Sequence, residues 1–402
     1  MPRKCRYRFY LSVGHAQRCS VLTLGLAHIP YVAVPAHDEA ARLPRLVRAL
    51  DAQGRRVRLT VLFNNCTDAS AAVLKRALAD APNVAGRAII MTLPSPFANA
   101  GCARRLALDA ARNRAIADGV PVERLALLTT DADAEPAPDW IAANLDALDA
   151  GADLVGGRIS AFADEEARLG ADVRARARRL ATLQDRLTRI ECAVDPVAHD
   201  PWPRHHDTLG ASLAIRGAMY ARIGGAPVRA ASEDVALAQE VRLQGGRVRR
   251  CPRVRVAVSA RLTGRAQGGM AQTLSDWIED AAQGRAMSVE APWLSVARMY
   301  ERARLRRWFA ARGEIADGRL HAPGLSDIAD ASPSADAFVE RLLPLASPPR
   351  RTVPLDTAIA WLAGFETGPG WFGSGTAPAH PAAARSVQFA RPISSVPNPE
   401  VA

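Results

Sequence analysis

Leu125-Ala126-Leu127-Leu128-Thr129-Thr130-Asp131-Ala132-Asp133 carries the most hydrophobic strand-like run of the chain straight into two carboxylates one residue apart. A short, unbroken apolar run predicts a strand covered on both faces, as in a parallel sheet. An acidic pair at the end of such a strand is poorly suited to a core. Residues i and i+2 of an extended segment point the same way, so Asp131 and Asp133 can reach one hard cation. Mg2+ or Mn2+ held by one or two carboxylates together with substrate phosphates is the usual arrangement. Taken alone, the pair reads equally as a loop or a helix start.

Working outward, residues 31–34 (Tyr-Val-Ala-Val) predict a first buried strand running into Pro35-Ala36-His37-Asp38-Glu39. Leu43, Leu46, Val47 and Leu50 then define one apolar helix face. Residues 58–63 predict a second strand, and Asn64-Asn65-Cys66-Thr67-Asp68 after it is rich in turn and cap residues. Helices over 69–79, 98–118 and from 139 to about 150 alternate with strands over 87–92, 125–130 and 153–157. Strands alternating with helices of this length imply βαβ units and a mostly parallel α/β sheet. In such sheets ligands bind beyond the carboxyl ends of the strands, where all three polar clusters fall.

Beyond the sheet the pattern changes. Residues 165–194 predict one long helix, with Leu180, Leu183, Leu187 and Ile190 as a packing face. Residues 195–206, with Pro196, Pro201 and Pro203, read as a loop, and order resumes over 210–223. Ser232-Glu233-Asp234 opens a helix closed by Gly245-Gly246, and residues 253–259 predict a further strand. Helical segments follow Trp293. A Pro/Ser/Gly-rich tail from about Gly368 is expected to lack order.

Bulk properties bound the function. The 402 residues hold 49% hydrophobic and 23% charged side chains, a globular composition. The net charge of +11 favours anionic partners without choosing among them. Aromatics at 5% argue against base-stacking platforms and so against nucleic acid. The six cysteines are scattered, with no Cys-x-x-Cys pair, and read as reduced thiols of a cytoplasmic protein. No apolar stretch reaches membrane-spanning length, while peripheral association with an anionic membrane surface stays open. Residues 1–10 are basic and 21–27 apolar, a loose imitation of a signal peptide that reads better as a basic extension.

Four pieces in this order, Val34-Pro35-Ala36-His37-Asp38-Glu39, Asn64-Asn65-Cys66-Thr67-Asp68, Asp131-Ala132-Asp133 and Ser232-Glu233-Asp234, resemble the family-2 glycosyltransferases of GT-A fold over about residues 30–270. The resemblance implies a role for each. Pro35 and Glu39 would form the first nucleotide-contacting loop. Asp68 would accept a hydrogen bond from the base of a nucleoside diphosphate. Asp131 would contact ribose or metal, Asp133 would be the main metal ligand, and Asp234 would be the catalytic base with Glu233 beside it. His37, Asn65 and Arg104 are expected as further nucleotide-sugar contacts. The donor would be UDP- or GDP-linked, the acceptor an unknown hydroxyl, the metal Mg2+ or Mn2+, and the outcome inversion by single displacement. The domains would be an N-terminal extension (1–28), a nucleotide-sugar-binding α/β half (29–160), an acceptor-side and catalytic-base half (161–285), a helical C-terminal region (286–367) and the tail (368–402).

The chemistry coheres without the family. A departing diphosphate gathers charge that a cation neutralises, and a poorly nucleophilic hydroxyl needs a carboxylate to take its proton. Competing readings are structural: Ser232-Glu233-Asp234 as a helix cap, Asp68 closing an Asx-type turn, Asp38-Glu39 as a helix start. His205-His206-Asp207 is a surface or acceptor-site loop rather than a metal site, because adjacent residues of an extended segment point apart. Arg249, Arg250, Arg253, Arg255, Arg261 and Arg265 form a solvated face or, through Arg261 or Arg265, a diphosphate contact. The Gln-x-x-Arg-Trp motif of processive synthases is missing; Ser275-Asp276-Trp277 is a faint echo. Two alternatives remain: a sugar-phosphate nucleotidyltransferase, disfavoured because no glycine-rich loop follows the first strand, and a non-catalytic nucleotide-sugar-binding protein.

Overall fold

The computed structural model describes residues 27–206, 210–262, 264, 270–311, 324–346 and 351–367. Of the expected N-terminal extension only residues 27 and 28 are among them; the tail over 368–402, Asp207 and Arg265 lie outside. The first part of the chain gives β1 (Ile29–Ala36), α1 (Leu43–Asp51), β2 (Val57–Asn64), α2 (Ser70–Ala79), β3 (Val84–Met91), α3 (Ala100–Ala117), β4 (Leu125–Thr129), β5 (Ala134–Pro136), α4 (Trp140–Asp149) and β6 (Leu154–Ala161). Then come α5 (Ala163–Glu166), α6 (Ala171–Val194), β7 (Leu213–Arg216), α7 (Gly217–Arg222), α8 (Glu233–Leu243) and β8 (Val248–Val258). The C-terminal region holds α9 (Met270–Ala282), β9 (Ser288–Glu290), α10 (Pro292–Ala310), α11 (Leu325–Asp330), α12 (Ala335–Ala346), β10 (Thr352–Pro354) and α13 (Leu355–Thr367).

Eight strands form one sheet in the order β3-β2-β1-β4-β7-β6-β8-β5. Strands β1 to β4 are parallel neighbours, β6 runs parallel to β8, and β7 runs antiparallel to β4 and β6. The expected class, a mostly parallel α/β sheet flanked by helices with a helical C-terminal region, is the one found. β1 explains why its strands read as apolar runs rather than alternating ones. Val32, Val34 and Ala36 join the core covered by α1, α2 and α4, while Tyr31 and Ala33 join the core under α3, α7 and α8.

These directions decide what meets where. Because β1, β2 and β4 are parallel, residues 37–42, 64–69 and 130–133 leave the sheet on one edge. Strand β7 is antiparallel to β4 and pairs Leu213 with Thr129, so residues 210–212 enter from that same edge. Strand β5 pairs Ala134 with Val258 of β8, which brings residues 259–261 beside the acidic pair.

Several local expectations are corrected. The single helix expected over 165–194 is two, because Gly170 takes the extended N-cap position of α6 and Arg174 Nη1 hydrogen-bonds the carbonyls of Ala167 and Leu169 in the intervening turn. Ser232 precedes α8 with φ 57° and its side chain makes no capping hydrogen bond. Strand β5 was not expected at all; at three residues it is too short for a pattern.

The C-terminal helices pack α6 against α10 and α13 through Leu183, Ile190, Val296, Met299, Ala358 and Leu362. A buried ion network ties loop 195–206 to this module. Glu191 meets Arg204, Arg250 and Arg302; Asp200 meets Arg204, Arg249 and Arg250; Asp195 and Asp336 share Arg306. The arginine cluster around 249–261 is therefore not one solvated face: Arg249 and Arg250 belong to this network, whereas Arg253 and Arg255 form exposed pairs with Asp146 and Asp139. Among the described residues no helix is long and apolar enough to cross a membrane.

Candidate active site

Two loops are locked together first. Asp38 adopts φ 52° and Asn65 φ 53°, a left-handed conformation that Asp and Asn tolerate better than most residues. Asp38 Oδ1 accepts the N–H groups of Thr67 (2.6 Å) and Asp68 (3.0 Å), and the Thr67 bond holds its carboxyl below the usual range. Asp68 Oδ1 accepts Ser70 N–H at 2.9 Å and Oδ2 accepts Ala40 N–H at 3.1 Å. Burial is the largest single effect and pushes the Asp68 carboxyl up, but the hydrogen bonds from Ser70 and Ala40 together outweigh it and keep Asp68 low as well. Asn65 clamps Leu93 through both side-chain atoms, at 3.0 and 2.8 Å, and His37 Nδ1 lies 2.6 Å from the Asn64 carbonyl. Pro35 lies within β1, half-buried one residue before its end. Asp38, Cys66 and Asp68 bring possible ligand atoms within 4.8 Å of one another. The backbone N–H groups held by Asp38 and Asp68 account for that convergence as a loop lock.

Glu39, at the end of this lock, is buried and points the other way. Its two oxygens receive both terminal nitrogens of Arg261, at 2.7 and 2.6 Å, a bidentate fork. The same Arg261 Nη2 lies 3.1 Å from Oδ2 of Asp133. Burial, and then the like charge of Asp131, push the Asp133 carboxyl up to about 7; Arg261 pulls it down and Glu39 adds to the rise.

Arg104 builds the other half. It is 5% exposed, and its guanidinium reaches four groups. Nη2 donates to Asp131 Oδ1 (2.8 Å), Nε to Glu233 Oε1 (3.0 Å), and Nη1 to the Gly210 carbonyl (2.8 Å) and Thr129 Oγ1 (3.2 Å). Asp131 and Glu233 raise its pKa further, against the opposing effect of burial. Residue 210 is glycine because a Cβ there would lie 2.5 Å from Arg104 Nη2. Gly210 N–H in turn donates to Asp234 Oδ2 at 2.7 Å. Arg104, expected as a nucleotide-sugar contact, is thus enclosed among protein oxygens and joins the acidic pair to the start of α8.

Two runs of contacts therefore lie along the rim: the Asp68–Ala40 bond leads to Glu39, Arg261 and Asp133, and Asp131 leads through Arg104 to Glu233 on one branch and to Gly210 and Asp234 on the other; the chain itself joins the two at residues 131–133. His205, by contrast, is buried with Nε2 3.0 Å from the Gly156 carbonyl, and His206 is exposed. Asp38 and the Glu39–Arg261 fork were not assigned these contacts from sequence. A turn-forming Asp between two rim residues was the available signal for the first; nothing local marks the second.

The donor set suits a hard divalent cation. Asp131 and Asp133 offer carboxylate oxygens on the same edge, each with one oxygen engaged by a guanidinium, and the like charge around Asp133 is what a cation would relieve.

Comparison with known protein families covers the part of the rim up to the acidic pair, and not Gly210, Glu233, Asp234 or Arg261. The family model described as Glycosyl transferase family 2 matches residues 31–198. No curated protein sequence matches the chain. Among solved structures, the chain is similar to the mannosyltransferase PcManGT from Pyrobaculum calidifontis in complex with GDP-Man and Mn2+, at 18% identity and TM-score 0.41, over 85% of this chain and 81% of that one. It is also similar to S. aureus TarS 1-349 in complex with UDP, at 12% identity and TM-score 0.40, over 78% and 91%. A third is glucosyl-3-phosphoglycerate synthase from Mycobacterium tuberculosis with Mn2+, UDP and phosphoglyceric acid, at 15% identity and TM-score 0.37, over 66% and 84%.

Proposed function

We propose that the acidic rim moves a sugar from a nucleoside diphosphate to an acceptor hydroxyl, with Asp131 and Asp133 on a divalent cation and Asp234 as base; the match of residues 31–198 to the Glycosyl transferase family 2 model supports this reading. The observation that carries this is the pair of contact runs that meet at the acidic pair, Glu39–Arg261–Asp133 from the Asp68 loop and Asp131–Arg104–Gly210–Asp234 toward α8. It joins residues far apart in sequence at one edge of the sheet, where the donor and acceptor must meet.

Mg2+ or Mn2+ on Asp131 and Asp133 would neutralise charge on the departing diphosphate. Asp234 sits in the first turn of α8, where the helix dipole favours a carboxylate, and Gly210 N–H fixes one of its oxygens. As an acceptor oxygen bonds the anomeric carbon, the bond to the diphosphate oxygen breaks and Asp234 takes the hydroxyl proton. One displacement inverts the anomeric centre. Arg104 touches neither substrate; it orients Asp131 and, through Gly210, Asp234. The locked loops 37–42 and 64–69 form the nucleoside side, with Pro35, His37, Asn65 and Asp68 along it. The donor is UDP- or GDP-linked, and scattered thiols support a cytoplasmic location.

The test compares Asp234→Asn and Asp133→Ala with the parent, using UDP- and GDP-sugars and Mn2+. Asp234→Asn is expected to keep nucleotide binding and lose roughly 10²–10⁴ in kcat, the usual worth of a general base. Unchanged turnover in Asp133→Ala would remove the acidic pair from the mechanism.

A further inference from the structure

Arg104 stands on Asp131, and Arg261 supplies the counter-charge on Asp133. Arg261 follows β8 directly, and its fork on Glu39 (2.7 and 2.6 Å) leaves Nη2 3.1 Å from Asp133 Oδ2. Glu39, Asp133 and Arg261 side chains are 8, 19 and 20% exposed, so the three charges meet in a part-dry setting where they interact more strongly than in water. One guanidinium therefore serves two carboxylates, with Asp131 close enough to disturb the second. A divalent cation drawn to Asp131 and Asp133 meets a positive group already on Asp133 and fixed there by a bidentate bond that a point charge would not make.

We propose that Arg261 is an exchangeable counter-ion of the acidic pair, so that a divalent cation enters together with a nucleoside diphosphate and not before it. The proposal rests on Asp131 and Asp133 being the cation ligands. Alone, the metal must displace Arg261 from Asp133 or tolerate it as a like-charged neighbour. A diphosphate brings oxygens that accept the same fork, so the displaced arginine keeps an anionic partner. Metal and nucleotide then raise each other's affinity by one common factor, as linkage requires.

The experiment titrates Mn2+ into the full chain, reading free Mn2+ by electron paramagnetic resonance, with and without saturating UDP or GDP and with Mn2+–nucleotide controls. The parent is expected to bind Mn2+ at least tenfold more tightly with nucleotide. Arg261→Met should bind Mn2+ alone at least tenfold more tightly than the parent and lose most of the nucleotide enhancement. Arg261→Lys, which keeps charge without the fork, should fall between, and it decides the matter if the Met variant is unfolded by circular dichroism. Mn2+ affinity that is unchanged or weaker in both variants overturns the exchange. Nucleotide binding that needs no Mn2+ and disappears in Arg261→Met also overturns it, making Arg261 the permanent cation. If Asp131→Asn and Asp133→Asn bind Mn2+ as the parent does, the assignment of the acidic pair fails instead, and the exchange with it.

Discussion

Replacing Arg104 by Met should cost more stability than any surface substitution on this rim. The side chain is similar in length and apolar, so the loss is electrostatic and directional rather than a cavity. Its two carboxylate partners differ: the Glu233 side chain is 10% exposed, that of Asp131 36%. Water therefore compensates Asp131, and the penalty falls mainly on Glu233. Breaking a buried pair by removing one partner costs about 3–5 kcal/mol, because a buried charge is left alone. The Gly210 carbonyl and Thr129 hydroxyl lose a donor too. Removing both charges, in Arg104→Met with Glu233→Gln, should recover about 2–3 kcal/mol of the sum of the two single effects. Urea unfolding followed by tryptophan fluorescence reads these values, since Trp140 is buried in the sheet core. A single-variant cost below about 1 kcal/mol, or a double variant whose cost is the plain sum, would refute the brace.

Three further outcomes follow from other contacts. Glu191 is carried from an ordinary 4.5 to about 2, by Arg250, Arg302 and Arg204 acting against burial. A depressed carboxyl contributes stability above its unfolded pKa and loses it as pH falls, so roughly 3 kcal/mol should disappear between pH 4.5 and 2; Glu191→Gln should flatten that part of a urea-midpoint-against-pH curve, and an unchanged slope would count against the network. Gly101→Ala drives a Cβ to 2.0 Å from the Arg229 carbonyl oxygen, so α3 or the segment leading into α8 must shift, at about 1–3 kcal/mol; a thermal melt matching the parent would show the approach is not that close. Asn99 caps α3 by accepting Cys102 N–H at 2.9 Å, and Asn99→Ala should cost about 1 kcal/mol in the same melt, with no loss meaning the cap is idle.

The sheet was legible where strands are covered on both faces, because burial then writes itself into consecutive residues. Strands β1, β2 and β4 and the polar segments after them were read within a residue or two. The same logic fails for β5, three residues stabilised by pairing with β8 rather than by its own pattern. It fails also between α5 and α6, where a helical pattern persists through a turn held by Arg174. Strand β3 was expected three residues late, since it is an outer strand whose residues are largely exposed.

For the rim, sequence supplied the acidic residues and named Arg104 and Arg261 as ligand contacts, but not their place between the acids. Arg104 shares α3 with Arg105, Arg112 and Arg114, and composition does not say which one turns inward. What places it is a distant glycine: at Gly210 the chain leaves room for the Arg104 guanidinium against its Cα, as Gly225 does for that of Arg105. Arg261 was read, with Arg265, as one of two arginines that could reach a diphosphate; its pairing with Glu39 and Asp133 emerges only once β8 carries it past β5. In both cases the acid can be read from a strand end, whereas its partner is fixed by strand order, a long-range property. A carboxylate rim of this kind would repel itself apart without those two guanidinium groups. The arginines are therefore part of what allows the acids to converge, and substitution at either should disturb the geometry of residues it never neighbours in sequence.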